Sequence, residues 1–300
     1  MMRYKYRSSA QFSSVTEAVR DLYGSARTIA DRRPVSGGDI NDAYALVLDD
    51  GTALFMKSNS AAALPFFLAE ADGLSAICRT GAIRTPKVLG IGEDGTRSFL
   101  LLEYIRGGSR VRDYWEAFAW ELAGMHGAKT DSETGFGFYE DNFIGSNRQI
   151  NTPHSTWIAF FRDCRLQPQI QKAEKYFDAG DRRQIRSLLD HLDRYLTEPE
   201  KPSLLHGDLW GGNYMTGDDG KAWLIDPAAY YGHPEADLAM TQLFGGFSPD
   251  FYEAYREAAG LESGYADRRD LYNLYHLLNH LNLFGSGYLP SVRSILRRYA

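Results

Sequence analysis

Leu204-Leu205-His206-Gly207-Asp208-Leu209-Trp210-Gly211-Gly212-Asn213, with Leu224-Ile225-Asp226-Pro227 close behind it, is the stretch on which the reading of this chain turns. An Asp stands five positions before an Asn in a loop-like sequence, and a second Asp ends the apolar run Ala222-Trp223-Leu224-Ile225. Phosphoryl-transfer sites of the protein-kinase type place a base, then an Asn and an Asp that hold magnesium, in this order. Asp208 is the candidate base, because an attacking hydroxyl needs a carboxylate to orient it and take its proton. Alone, His206-Gly207-Asp208 reads equally well as an ordinary turn; the spacing to Asn213 and Asp226 breaks the tie. Those two residues offer the hard oxygens that magnesium takes. His206 is read as structural, its ring bonding the backbone that positions the Asp.

Such a site also needs a lysine for the phosphates and a carboxylate to hold that lysine. Lys57 ends the alternating run Ala53-Leu54-Phe55-Met56, the strand position of a kinase-type lysine. Residues 60–79 are helical by pattern, with Leu64, Phe67, Leu68, Ala71, Leu74 and Ile77 at spacings of three and four, and Gly81 as the stop. Glu70 falls on the side facing Lys57, whereas Asp72 points the other way around the helix. Ser36-Gly37-Gly38-Asp39-Ile40-Asn41 lies where a phosphate-covering loop belongs, and Gly37 and Gly38 let backbone amides approach, with Asn41 at its end. Gly90-Ile91-Gly92-Glu93-Asp94-Gly95 matches G-x-G-x-x-G, but residues 96–102 continue as a strand. The dinucleotide fingerprint requires a helix there, so this is a hairpin turn. No G-x-x-x-x-G-K-[ST] occurs, which removes the P-loop class. Glu103, Tyr104 and Ile105 end the next strand and are the candidate adenine contacts.

Residues 13–23 read as a helix, residues 43–48 and 53–57 as a hairpin around Asp49-Asp50-Gly51, and residues 87–91 and 98–105 as further strands. Gly107-Gly108-Ser109 breaks the composition and is the candidate linker. Helices are expected over 111–127, 156–176, 182–196, 235–244, 250–259, 267–283 and 290–299, with short strands near 213–215 and 222–225. The expected fold is α+β, two-lobed and protein-kinase-like. A small antiparallel-sheet lobe spans 1–106, a larger and mainly helical lobe spans 107–300, and the nucleotide is expected in the cleft between them.

Composition narrows the partners. The 300 residues are 44% hydrophobic with a net charge of -6, which gives no electrostatic reason to expect nucleic acid or an anionic membrane. No apolar run is read as long enough to span a bilayer, and Met1-Met2-Arg3-Tyr4-Lys5-Tyr6 lacks a signal-peptide core. Cys78 and Cys164 are the only cysteines and form no C-x-x-C. A reducing compartment, the cytoplasm by default, follows, without a disulfide framework or a cysteine metal site. His276 and His280 lie four apart, but position 277 is Leu, so they are read as helix-face histidines rather than zinc ligands.

From about Arg33 onward the chain resembles the fructosamine kinases (ketosamine 3-kinases), relatives of the aminoglycoside phosphotransferases. The resemblance rests on Gly37-Gly38-Asp39-Ile40-Asn41 with Ala43-Tyr44, on Phe55-Met56-Lys57, and on Leu102-Glu103-Tyr104. It continues through Gly135-Phe136-Gly137-Phe138, Asp141-Asn142-Phe143-Ile144-Gly145, Trp157-Ile158-Ala159-Phe160-Phe161 and Arg165-Leu166-Gln167-Pro168, and closes on residues 206–213. Trp210-Gly211-Gly212 is its most specific part. The resemblance implies ATP and Mg2+ as cofactors and a small-molecule ketosamine, or glycated lysine or protein, as substrate. It implies phosphorylation of the sugar 3-hydroxyl; the phosphate can then be eliminated, which frees the amine. Trp210 is the candidate platform for the sugar, and Asp141, Asn142 and Arg165 are candidate polar contacts to it; packing or loop-bracing is the equal alternative for all four. The resemblance further implies that Asp237 braces the catalytic loop. Gly207 stands where protein kinases have Arg, and no Ala-Pro-Glu follows Asp226, so activation-loop control is not expected. Some relatives have a redox-sensitive cysteine near the glycine loop; residues 26–57 hold none, so no such switch is expected. The alternatives are a phosphotransferase for aminoglycosides or other small molecules, and an ATP-binding module without turnover.

Overall fold

The computed structural model describes residues 8–35, 41–129, 135–245 and 247–300. It divides into two compact units, Met1–Tyr114 with Tyr214–Pro227, and Trp115–Asn213 with Ala228–Ala300.

Alternation along the strand Ala53–Ser60 explains the first unit. Strands β1 (Ile29–Pro34), β2 (Asp42–Leu48), β3 (Ala53–Ser60), β4 (Val88–Glu93) and β5 (Arg97–Glu103) form one sheet in the order β1-β2-β3-β5-β4, each neighbouring pair antiparallel. Successive side chains of a strand face opposite ways. Leu54 and Met56 pack with Leu46, Leu48, Phe99 and Leu101 against Ala18 and Val19 of helix α1 (Val15–Tyr23). Phe55 faces the other side, with Leu100, Leu102 and Ile91, where Phe67, Ala71 and Leu74 of helix α2 (Leu64–Thr80) cover the sheet. Two residues beyond Phe55, Lys57 is carried to that same α2 side.

Residues 61–80 correct one expectation. The stretch Ala61–Thr80 is long and apolar enough to cross a membrane by length and composition. Its apolar residues are those that cover the sheet, and it carries Glu70 and Asp72 within the fold. The helix ends as expected at Gly81, which is left-handed at φ +63.

The G-x-G-x-x-G match is a β4–β5 hairpin, with Gly95 at φ +86 in its turn. Its first two glycines serve packing. The segment around Phe12 runs along the free edge of β4, pairing through Gln11 N–H to Ile91 O (2.8 Å) and Glu93 N–H to Phe12 O (3.1 Å). A methyl group on Gly92 would lie 2.1 Å from the Phe12 carbonyl oxygen, and one on Gly90 would lie 2.7 Å from the Phe12 ring.

The first unit takes in residues 107–114 and 214–227, beyond the expected boundary at 106. The hairpin Tyr214–Thr216/Ala222–Leu224 accepts Gly108 N–H at Thr216 O (3.1 Å), and its Leu224 N–H bonds Arg84 O (2.9 Å). Sequence-remote pairing of this kind leaves no local signal.

The second unit is mainly helical: Tyr114–Gly127, Ala179–Asp190, Glu235–Leu243, Pro249–Ala259, Tyr265–Phe284 and Leu289–Tyr299. Residues 156–176 are not one regular helix. Trp157–Phe160 passes into a π-helical turn, Phe161–Leu166, before Gln167–Lys172 resumes. Two short antiparallel pairs went unexpected, Ser203–Leu205 with Tyr230–Gly232 and Asn142–Ile144 with Asn147–Gln149. Strands of three residues are too short for a periodic signal.

Gly92→Ala should destabilise the chain by about 1–3 kcal/mol, because the obstruction is backbone and cannot rotate away. Urea unfolding of the variant beside Gly107→Ala, which meets nothing within 4 Å and, like Gly92, has no positive φ, measures the packing part.

Candidate active site

In the first unit the Lys57 Nζ donates to Glu70 Oε1 at 2.8 Å, and the two side chains are only 12% and 13% exposed. The Asp226 carboxylate is a second partner of the same ammonium. Burial works against the charge on Lys57, but Glu70 and Asp226 outweigh it and hold the amine protonated beyond its ordinary range. Burial pushes the Glu70 carboxyl up; Lys57 pulls it back and Asp226 adds to the rise. Asp72 is engaged elsewhere, its Oδ1 accepting Ser8 N–H at 2.6 Å.

Asp226 has a left-handed backbone, φ +54, the one non-glycine positive φ among the described residues. Asp tolerates that region better than most residues, and strain of this type collects at functional sites. It lies two residues beyond the strand Ala222–Leu224, with its carboxylate 43% exposed.

In the second unit the strand Ser203–Leu205 leads into the loop that carries Asp208. Asp237, in the first turn of Glu235–Leu243, accepts His206 N–H on Oδ2 (2.7 Å) and Gly207 N–H on Oδ1 (2.8 Å). His126 Nε2 lies 3.2 Å from the same Oδ2, and its Nδ1 lies 2.7 Å from the Tyr255 hydroxyl. Burial raises the Asp237 carboxyl, but these donors prevail and hold it below the usual carboxylate range. Gly207 is left-handed at φ +81, and a methyl there would lie 2.1 Å from the Ala228 carbonyl oxygen. The Arg of protein kinases therefore has no room at this position. His206 Nδ1 accepts Asp208 N–H at 3.3 Å, the bracing contact expected of it.

Asn213 gives its Nδ2 to the Asp208 carbonyl (2.8 Å) and to Asp208 Oδ2 (3.0 Å). That arrangement assigns the amide orientation and presents Oδ1 as the atom suited to a hard cation. Trp210 is 40% exposed, and its ring covers Gly212, where a methyl would come within 2.4 Å of the indole.

The remaining expected residues fare differently. Gly37 and Gly38 lie outside the described residues. Asn41 Oδ1 accepts Asn59 Nδ2 at 2.9 Å. Glu103 is tied to Lys87 by its N–H (2.9 Å to Lys87 O) and by its carboxylate (3.2 Å from Lys87 N); Tyr104 and Ile105 follow, half-buried. Asp141 pairs with Arg148 and accepts Asn151 N–H at 2.8 Å. Asn142 is buried, with its amide bound to Ala229 O at 2.8 Å. Arg165, in the π-helical turn, is wholly buried, donates to Ile150 O and Asn151 Oδ1, and stacks 3.8 Å above Tyr230. Asn142 and Arg165 thus brace the interior instead of meeting a substrate. His126 and Tyr255 were missed, having no motif around them.

His276 is buried and His280 Nδ1 is bound to His276 O (2.8 Å), the helix-face arrangement expected. His233, Glu235 and Glu262 bring metal-type ligand atoms within 4.8 Å of one another. Glu235, however, is neutralised by Arg268 at 2.6 and 2.8 Å, and its own N–H is donated to His233 Nδ1 at 3.2 Å. That bond leaves the proton of neutral imidazole on Nε2, the atom a metal would need bare. The cluster is an ion-pair brace.

The model of the fructosamine kinase family matches residues 11–300. The chain belongs to the fructosamine kinase family. It is 39% identical over 279 residues to a chloroplastic protein-ribulosamine 3-kinase of Oryza sativa subsp. indica, covering 92% of this chain and 80% of that one. A crystal structure of a candidate fructosamine-3-kinase from Haemophilus somnus matches with a TM-score of 0.85 at 29% identity, over 95% and 96% of the two chains. A thermostable aminoglycoside phosphotransferase mutant, in ternary complex with AMP-PNP and hygromycin B, matches with a TM-score of 0.63 at 19% identity, covering 96% and 99%. The fold is therefore the α+β fold of the aminoglycoside phosphotransferase-like kinases.

For this fructosamine kinase family member, Asp237→Asn should cost about 3–5 kcal/mol at neutral pH, since it breaks a buried charge-assisted cluster. The native carboxyl lies below its unfolded value, so its contribution is complete above about pH 4 and is lost as pH falls through the lower folded value. Urea midpoints measured from pH 7 to pH 3 should show the gap between the two proteins narrowing only at the acid end.

Proposed function

We propose that the chain transfers the γ-phosphoryl group of ATP to the 3-hydroxyl of a ketosamine, a sugar carried on an amine or lysine. Support comes from the family together with one local observation: Asp208, the candidate base, is held by its N–H to His206 and by Asn213 across its carboxylate and carbonyl. Asp208 would orient the acceptor hydroxyl and take its proton. Lys57, kept charged by Glu70, would meet the phosphates.

The residues fit magnesium. Asn213 presents a carbonyl oxygen and Asp226 a part-exposed carboxylate, and Glu70 with Asp226 gives the Lys57 group one negative charge in excess. Mg2+, when bound, supplies charge neutralisation of the phosphates. Asn213 and Asp226 would hold it. Trp210, exposed beside Asp208 in the chain, would offer its indole face to the sugar ring. Both cysteines are free thiols, which suits a reducing compartment such as the cytoplasm.

A panel of ribulose-, erythrulose- and fructose-lysine with kanamycin, each with Mg2+ and ATP, tests the assignment. Turnover of a ketosamine is expected; phosphorylation of kanamycin alone would move the chain to the antibiotic phosphotransferases, and ATP binding without any turnover would make it a binding module. Asp208→Asn should lower kcat by about 10²–10⁴-fold, measured by phosphate transfer at saturating ATP. Gly212→Ala, which forces the indole aside, should raise the KM for the ketosamine about fivefold or more, with the KM for ATP unchanged, in line with one lost stacking contact of about 1 kcal/mol.

A further inference from the structure

Between the hairpin Asn142–Ile144/Asn147–Gln149 and the catalytic loop lies a buried polar network that the proposed chemistry does not use. Gln149 Nε2 donates to Ala228 O (3.0 Å) and to Asn142 Oδ1 (2.7 Å), while Asn142 Nδ2 donates to Ala229 O (2.8 Å). Tyr275 donates to Gln149 Oε1 at 2.6 Å, which fixes the amide so that its NH2 faces Ala228. Asn151 adds a donor to Asn142 Oδ1 (2.9 Å) and is itself held by Arg165 at 2.8 Å. Asn142, Gln149, Asn151, Arg165 and Tyr275 are all buried.

Burying that many amides is costly unless each finds a partner. Ordinary hydrophobic packing could join a hairpin to a core more cheaply, so the receiving end of the network matters. That end is Ala228 and Ala229, the second and third residues after Asp226. Ala228 also donates its N–H to His206 O (2.9 Å), and its carbonyl is packed against Gly207. One residue, Ala228, thus carries three constraints: Gln149 from the hairpin on its C=O, His206 from the loop on its N–H, and the chain linkage to Asp226.

We propose that Gln149 and Asn142 are positioning residues for phosphoryl transfer, registering the backbone after Asp226 against the loop that carries Asp208. This rests on the reading of Asp208 and Asp226 given above. Neither amide touches the reacting atoms; each acts through the Ala228–Ala229 backbone. Asn142 belongs to the Asp-Asn-Phe-Ile-Gly motif, which this role explains without a substrate contact.

Four variants test it: Gln149→Met, which removes the amide at similar length; Gln149→Glu, which keeps the shape but exchanges the donor for an acceptor; Asn142→Asp, for use where Met does not fold; and Asn147→Ala as a control. Asn147 ties the same hairpin to Asn279 (2.8 Å) and Lys172 (2.7 Å) without touching Ala228 or Ala229. The readings are kcat and both KM values per folded molecule, the Mg2+ concentration for half-maximal rate, ATP hydrolysis without acceptor, and Tm. The Gln149 variants should lose about tenfold or more in kcat and need more Mg2+, with KM values for ATP and ketosamine within about twofold, as small misplacements of reacting groups do. Asn147→Ala should lower Tm and leave kcat within about twofold, because its lost bonds affect stability alone. Gln149 variants that behave like the control overturn the proposal. A wild type that hydrolyses ATP but accepts no ketosamine overturns the substrate reading instead, and the hydrolysis rates still decide the positioning role. A wild type inert towards ATP overturns both.

Discussion

A single buried carboxylate, Asp237, organises the second unit. Its two oxygens take the consecutive N–H groups of His206 and Gly207, and hydrogen bonds to a charged acceptor contribute about 1.5–3 kcal/mol each. An uncompensated charge at that depth would be prohibitive, so the carboxylate requires every one of its donors. Its position helps: the first turn of a helix favours negative charge. The same turn carries Glu235, whose carboxylate grips Arg268 of Tyr265–Phe284. One helix start therefore fixes the loop that carries Asp208 on one side and the longest helix among the described residues on the other. The left-handed Gly207 follows from this grip, because both N–H groups must turn towards one acceptor, and the Ala228 carbonyl fills the space a side chain would take.

In the first unit charge is arranged to be responsive. Lys57 lies between two carboxylates, of which Glu70 is enclosed and Asp226 is partly open. Buried ion pairs seldom repay their desolvation in stability, so a lysine held this way is better explained by what it does than by what it stabilises. Glu70 binds it from a helix anchored on the sheet by Phe67, Ala71 and Leu74. Asp226 binds it from a strained backbone, the less secure of the two attachments. A phosphate-bound cation competing for Asp226 would leave the Lys57–Glu70 pair intact.

How far the sequence foretold this depends on the range of each contact. Lys57 and Glu70 were legible because two local periods, 2 along β3 and 3.6 along α2, each aim a side chain at the same face, and each period is written in neighbouring residues. The contact between Asp208 and Asn213 was legible because the two stand five positions apart on one loop that closes on itself. Gln149, His126 and Tyr255 were not legible, since their partners lie 79, 111 and 129 positions away. The same distance explains residues 214–227, which join the first unit through backbone bonds to Gly108 and Arg84. Arg165 misled because charge suggests a surface; here the π-helical turn aims the guanidinium inward, onto Tyr230 and backbone carbonyls. Residues 61–80 were legible as a helix from their period, and their apolar content, enough to cross a bilayer by length and composition, is what covering one face of a sheet requires.

A fold shared with antibiotic phosphotransferases cannot by itself choose the acceptor. The residues that build the loop around Asp208 are engaged inward: His206 and Gly207 with Asp237, Asn213 with Asp208. Trp210 is the exception, a large aromatic left 40% exposed on a loop otherwise committed to internal bonds. Leaving part of an indole in water forgoes some of the hydrophobic gain that a core position would give. Gly212 beneath it has no side chain, and this lets the ring lie flat along the loop instead of projecting from it. The pair forms an apolar platform that would give the C–H face of a sugar an extended contact. Selection of the acceptor on this reading is local to the Trp-Gly-Gly run, and the brace that holds Asp208 would be the same for any alcohol.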